Sequence, residues 1–503
     1  MRRITSKNVL LTNSMTSLLV QIMAVTSSFV VPRCILGAFG SVVNGTIESI
    51  TGFLGFLTLM EAGVGSVARA ALYRPVAQGD SYGTSVVVNE TKQFFQRVAL
   101  IYLAFVVVFA AIFPLRVNNG ESFWFNASLV LIVAIVQLVQ YYFGSGYIQV
   151  LYSDQKLYLL NGIQAVAYFL NMVLVALCAW MGTGVHMMKL VSSAAFLLKP
   201  IFVNVYVRRH YHIQRKARES TPVLTQKWNN LLQTVAYFVH TKTDVVVLSV
   251  FCSMETVSVY SVYALITTGL TSIINSLCNG FYARLGHLYG MGDQEGLMES
   301  FVIYDHFLLN LTLALFTTAS LTILDFVGLY TKGVADANYY APSFSVLLIV
   351  AEAVYCLRLS YNHMVMVAGH FKQTQMAAMI EASMNIVISV CLVPRWGLVG
   401  VAIGTVCAMV FRTLYFVFYL SRHILHYPML QFARKLLAIV LCVGVTRLLW
   451  NNFEPLVIVT GYGTWAEKAL LVLCCVGCGL VIANVLCYWS MIARWKAFLR
   501  RKD

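Results

Sequence analysis

Charge is what this sequence has least of. Only 11% of its 503 residues are Asp, Glu, Lys or Arg, and 59% are hydrophobic. A soluble globular domain carries roughly 25% charged residues, so a water-surrounded domain is excluded. Catalytic signatures are missing as well. The chain has no Walker sequence, no HExxH and no loop with paired acids, and the longest expected outer loop, near 325–342, is too short for a catalytic domain. No enzyme activity and no cofactor are therefore expected. The 12 cysteines show no metal-ligand spacing. Cys474, Cys475 and Cys478 fall in one apolar run and read as small packing residues. Nothing in the sequence brings Cys34 and Cys252, near the outer ends of two expected helices, to disulfide distance. A cleavage site of the A-x-A kind is absent after the basic start MRRITSK, so the first apolar run reads as a spanning helix. Although the net charge is +15, the bases sit in loops beside apolar runs, which makes them topology signals and argues against nucleic acid as a partner.

What is abundant is apolar runs of membrane-spanning length. They are continuous, unlike the short alternating segments of a β-barrel. The fold class expected is an all-α polytopic membrane protein with about fourteen spans, near 9–31, 44–73, 94–115, 124–148, 157–182, 185–207, 230–252, 256–284, 301–324, 343–367, 374–394, 398–421, 433–450 and 466–490. With the N-terminus inside, the inner segments hold 23 of the 35 Lys and Arg residues and the outer segments 6. That asymmetry places both termini in the cytoplasm. The longest polar stretch, RRHYHIQRKARESTPVLTQK (208–227), reads as a solvated inner linker. Asn44, Asn89, Asn126 and Asn310 match the glycosylation triplet, with nothing else in support of it.

The chain repeats itself at an offset of 213 residues. Gly79-Asp80 recurs as Gly292-Asp293, Gly184 as Gly397, and the ending KPIFVNVYVRRH (199–210) as RTLYFVFYLSRH (412–423). An offset of about six spans preserves polarity in the membrane, so the halves are expected to be parallel repeats, two pseudo-symmetric six-helix lobes around a central cavity, working by alternating access. The expected division is 1–213 for the first lobe, 214–426 for the second, and 427–503 for two further helices with a basic cytoplasmic tail.

Ionisable residues inside spans are costly and normally face a cavity or a partner. Here they are Glu48, Glu61, Arg69, Lys189, Lys199, Lys242, Asp244, Glu352, Arg358, Glu381 and Arg412. In FLTLMEAGVGSVARAALYRPVA (56–77), Glu61 and Arg69 lie about 12 Å apart along a helix, beyond direct pairing. Ala62, Ser66 and Ala70 have the spacing that lets another helix approach closely. A carrier of drug cations calls for acids and aromatics. A carrier of an anionic headgroup calls for Arg and Lys, and bases are at least as numerous as acids in this interior.

The run from Gly40 to Asp80, GSVVNGTIESITGFLGFLTLMEAGVGSVARAALYRPVAQGD, resembles the second helix of Wzx-type polysaccharide flippases, with its Met-Glu-x-Gly-x-Gly-Ser turn and Tyr-Arg-Pro exit. LYSDQKLYLLNGIQ (151–164), HTKTDVVVLSVF (240–251), VSVYSVYALI (257–266) and RWGLVGVAIGTVCAMVFR (395–412) are similar to later segments of that family, through about residue 425. The family belongs to the multidrug/oligosaccharidyl-lipid/polysaccharide exporter superfamily. The resemblance implies a secondary transporter in the bacterial inner membrane. Its partners would be membrane lipids, a polysaccharide polymerase, and an undecaprenyl-diphosphate-linked oligosaccharide that it flips outward. On that reading Arg33, Arg69, Lys242, Arg284 and Arg358 are candidate headgroup contacts. Glu61, Asp244 and Glu352 are candidate counter-charges, or acids coupled to a proton or sodium gradient, with no metal site. The rivals are a drug/cation antiporter and a peptidoglycan-precursor flippase of the same superfamily.

Overall fold

The computed structural model describes residues 6–55, 59–117, 119–214, 217, 242–425, 429–454 and 457–500. Among them there are helices and connecting turns and no strands. Ten helices are long and apolar enough to cross a membrane, and the chain is a multi-pass membrane protein. It forms two compact units: Met1–Ser258 with Gly333–Ala337, and Val259–Lys332 with Asn338–Asp503.

The first unit begins with α1 (Ser6–Gly55), a helical hairpin whose limbs meet at Gly40. There φ is 78° and ψ −174°, a conformation open to glycine and closed to most L-residues. The reversal shows in the hydrogen bonds. Asn13, Ser17 and Ser27 on the first limb bond Tyr158, Asn161 and Asn171 at a near-constant offset, so this limb runs parallel to α6 (Leu157–Trp180). On the second limb Thr46 meets Asn119 and Phe53 stacks with Phe109 and Phe113, so it runs antiparallel to α3 (Ser81–Arg116). Asp336 holds the second limb's start, accepting from Ser41 N and Ser41 Oγ at 2.6 Å each. A carboxylate there satisfies an orphan N–H and sits at the positive end of the helix dipole.

Gly45, Ser49 and Gly52 form a small-residue stripe on that limb. It lies against Met254 and α8 (residues 242–251), through a Ser249–Ser49 hydrogen bond of 2.7 Å and the Val245 side chain. A Cβ on Gly45 would fall on the Met254 carbonyl oxygen. Gly45→Val is therefore expected to cost about 1–3 kcal/mol or more by overpacking, read as a lowered unfolding midpoint in detergent. This stripe, one turn after the hairpin, is where the close approach occurs. In α2 (Leu59–Gln78) the packed face is instead Val64, Ala68 and Leu72, while Ala70 is exposed. The expectation built on Ala62, Ser66 and Ala70 thus gives way to the neighbouring face. The side chains of Ala62 and Ser66 lie outside the described residues.

α4 (Phe123–Val139), a π-helical turn (Gln140–Gly144) and α5 (Ser145–Ser153) make one continuous crossing. The π-turn faces α7 (Val185–His210), where Pro200 would touch any Cβ on Gly144 and Asn204 donates to the Phe143 carbonyl at 3.2 Å. The cores lie at two levels, one around Ile50, Phe95, Tyr102, Leu129 and Tyr141, the other around Leu72, Val87, Leu151, Val203 and Val207.

In the second unit, α9 (Met254–Met291) leads into α10 (Gln294–Tyr330) and α11 (Pro342–Val367). α12 (Phe371–His423) is another hairpin, turning at Gly397 with φ 49°. Its limbs are close enough that Asn385 donates to Thr405 at 3.0 Å and a Cβ on Gly400 would lie 2.7 Å from the Leu392 carbonyl carbon. α13 (Met429–Phe453) and α14 (Tyr462–Arg500) pack on each other and against α10 around Leu309, Cys442, Trp450 and Val476.

Local features recur at the 213-residue offset. Asp80 and Asp293 cap α3 and α10 identically, each accepting from a glycine N–H at 2.9 Å, and Gly79 and Gly292 have φ of 69° and 74°. The second limb of α1 starts at Ser41 and α9 at Met254; α7 ends at His210 and α12 at His423. Both ends carry a tyrosine stacked on a histidine, Tyr206–His210 at 4.1 Å and Tyr419–His423 at 4.6 Å.

Three sequence readings need amending. Residues near 32–43 are helix with a single reversal, because Gly40 turns the chain without a loop. The start of the 208–227 stretch is clamped to α3 and is not solvated linker: Ser85 receives Gln214 N at 2.9 Å, and Asn89 donates to the Gln214 and Ala217 carbonyls. Residues 215–216 and 218–227, like most of the span expected at 230–252, lie outside the described residues. Two of the glycosylation triplets are buried, with Asn44 at 1% and Asn126 at 0% exposure, and their amides are bonded to Ser258 and Asn119. Cys34 and Cys252 are both free thiols.

Candidate functional site

Within the first unit, α1, α5, α6 and α7 enclose a cavity of about 290 Å³. Its polar lining is Gln21, Tyr152, Asn161, Gln164, Tyr168 and Lys199. Helical spacing explains the set. Asn161, Gln164 and Tyr168 stand at i, i+3 and i+7 on α6 and so share one face. Lys199 comes from α7, one residue before the proline that packs on the π-turn. That turn adds a residue to the crossing and re-aims the helix beyond it, a common use of such bulges near functional sites. Gln149 and Tyr152 stand on the re-aimed segment, α5.

Arg69 belongs to the same neighbourhood. Its Nε donates to Gln149 Oε1 at 3.3 Å, and its guanidinium lies 4.0 Å from the centroid of the Tyr152 ring. Tyr152 therefore carries the cavity on one side and a cation on the other. Among the described residues no acid lines the cavity. Beneath it, the turn from α5 to α6 is tied to the end of α7. Lys156 Nζ bonds Asp154 Oδ2 at 2.7 Å and Tyr211 Oη at 3.0 Å, and the Tyr211 hydroxyl donates to Asp154. Burial works to lower the Lys156 pKa, but these hydrogen bonds and the charge of Asp154 carry it above its usual value.

The other residues singled out from sequence stand elsewhere. Arg33 is half-buried on the first limb of α1; Lys242 is half-buried and Asp244 buried at the start of α8. In the second unit Arg284 is exposed and donates to Ser300 Oγ at 3.1 Å, and Glu352 accepts from Thr271 at 3.2 Å. Arg358 is buried and bonded to Glu381 at 2.7 Å, and Arg412 reaches the other oxygen of Glu381 at 2.7 Å. A guanidinium committed in this way braces α11 against both limbs of α12, a structural duty that competes with any headgroup contact. The side chain of Glu61 lies outside the described residues. None of the eight lines the cavity. The residues that do are mostly neutral amides and tyrosines, which a search for charges passes over. Lys199 is the exception, being among the ionisable residues within spans. The available signal was the shared face of Asn161, Gln164 and Tyr168 in an otherwise apolar helix.

The fold is shared with transporters of the MOP superfamily. A lipid II flippase, MurJ, in an inward closed conformation superposes with a TM-score of 0.69 at 13% identity, over 95% of this chain and 99% of that one. An inward-facing multidrug resistance transporter of the MATE family gives 0.66 at 15% identity, over 81% and 98%. A MOP superfamily transporter from Pyrococcus furiosus gives 0.60 at 14%, over 84% and 97%. No protein-family profile and no curated protein matches the sequence.

Proposed function

We propose that this protein is a secondary transporter that flips an undecaprenyl-diphosphate-linked oligosaccharide from the cytoplasmic to the outer leaflet of the bacterial inner membrane, by alternating access, for surface polysaccharide assembly. The observation that carries this reading is the acid-free cavity with Lys199 in its wall and Arg69 behind Tyr152. An ammonium in a low-dielectric cavity without a carboxylate in its wall favours an anion, and phosphate is held by such charge-assisted hydrogen bonds. The same lining disfavours a drug cation, for which acids are needed. The flippase named among the structures of this fold handles a lipid-linked substrate, which adds weight on the same side. Glu61, Asp244 and Glu352 remain the proposed acids for coupling to a proton or sodium gradient.

The test is translocation of a fluorescent undecaprenyl-diphosphate oligosaccharide in proteoliposomes. Lys199→Gln removes a charge-assisted hydrogen bond and is expected to slow translocation by about tenfold or more. Unchanged translocation in Lys199→Gln would sink the assignment of this cavity. Uptake of cationic dyes in exchange for protons would favour the antiporter instead.

A further inference from the structure

The first limb of α1 and α6 are joined by a ladder of polar contacts. Asn13 bonds Tyr158 N at 2.8 Å, Ser17 receives Asn161 Nδ2 at 2.8 Å, and Ser27 receives Asn171 Nδ2 at 3.4 Å. One helical turn beyond Ser17 and Asn161 stand Gln21 and Gln164. The ladder is interrupted there: neither glutamine has a hydrogen-bond partner among the described residues, and both line the cavity. Ala24, one turn further, is too small to fill the space.

Unpaired amides inside a membrane are expensive. Each costs on the order of 1–3 kcal/mol by protein mutational data if nothing satisfies it, and two leucines would serve helix packing at no such cost. Two glutamines facing one cavity therefore argue for a ligand or solvent rich in hydroxyl groups. Further polar groups face the same space. Asn161 commits its Nδ2 to Ser17, which leaves its Oδ1 as an acceptor. The Tyr168 ring, braced edge-on by Phe196 at 5.5 Å, gives a flat apolar wall with a phenolic tip. Amides that donate and accept, beside an aromatic wall, match the alternating hydroxyls and apolar face of a sugar ring. Lys199 adds a cation to the same wall.

We infer that this cavity is a carbohydrate subsite. Gln21, Gln164 and Asn161 read the hydroxyls of the sugar adjoining the diphosphate, and Lys199 holds the phosphate beside it. The inference rests on the flippase reading above and goes further, since that reading requires only the anion. It makes Gln21 and Gln164 specificity-determining residues, where Lys199 is a general affinity residue.

The experiment measures binding to the full-length protein in nanodiscs. The probes are undecaprenyl diphosphate alone, the same lipid bearing one hexose, and the same lipid bearing one N-acetylhexosamine. Wild type is expected to bind at least one sugar-bearing probe about three- to tenfold more tightly than the bare lipid, the range expected of one or two amide–hydroxyl bonds. Gln164→Leu and Gln21→Leu are expected to abolish that preference and leave affinity for the bare lipid unchanged. Retained bare-lipid binding also shows that each variant is folded. Lys199→Gln is expected to weaken all three probes. The subsite is overturned if wild type binds the bare lipid as tightly as both sugar-bearing probes, or if the leucine variants keep the preference. It is also overturned if those variants lose all three probes in parallel. Binding of no probe by wild type would overturn the flippase reading itself.

Discussion

Glu381→Gln is expected to be the most damaging single substitution outside the backbone glycines. Glu381 is 5% exposed and carries both Arg358 and Arg412, themselves 7% and 6% exposed. Breaking one buried ion pair by removing a partner costs about 3–5 kcal/mol, because it leaves a charge buried without compensation. Here one neutralisation strands two guanidinium groups. Stacking on Phe416 at 4.6 Å offsets little of that for Arg412. The expected outcome is loss of the monodisperse peak on size exclusion in detergent, or a large drop in unfolding midpoint. Glu381→Asp, which keeps the charge on a shorter stem, is expected to lose much less. If Glu381→Gln matched wild type, the cluster would not be what holds α11 to α12.

The second large effect concerns the added helix pair. Lys435 on α13 is 2% exposed and bonds Asp305 of α10 at 2.7 Å; Ser360 of α11 donates to the same oxygen at 2.6 Å. At the other end Lys468 of α14 bonds Asp325 at 2.6 Å, and between the two Asn484 donates to Asn310 at 2.6 Å. Lys435→Met is expected to cost about 3–5 kcal/mol by leaving Asp305 buried and unpaired. Lys435→Met combined with Asp305→Leu is expected to recover most of it, since a buried pair replaced as a whole by apolar groups is often neutral. A thermal-melt series on the two single variants and the double checks this. Equal losses in single and double variants would show that the pair is not coupled.

Both clusters show where sequence reading stops. Arg358, Glu381 and Arg412 all stand within expected spans, so their cost is legible. Their partnership is not, because Glu381 and Arg412 are 31 residues apart and meet only when the chain reverses at Gly397. Asp305 and Lys435 lie within a few residues of expected span ends, and Lys435 reads there as a topology signal. The structure shows instead a buried cation satisfied by an acid 130 residues away. The candidate site is a similar case. Arg69 stands out in its helix, yet what defines the cavity is a missing rung between Gln21 and Gln164.

By itself the sequence determined that the chain is helical, crosses a membrane many times, and carries the same local signals 213 residues apart. These are local properties, set by the length of apolar runs and by glycine and aspartate at chain turns, and they need no knowledge of neighbours. The tertiary structure alone decided which polar groups meet. Helices that are apolar nearly all round have no amphipathic stripe to declare which face turns inward. Their rotation is set by the fit of small residues such as Gly45 and Gly400 against a neighbouring backbone. That rotation is what pairs Arg358 with Glu381 and turns two unpaired glutamines toward one cavity.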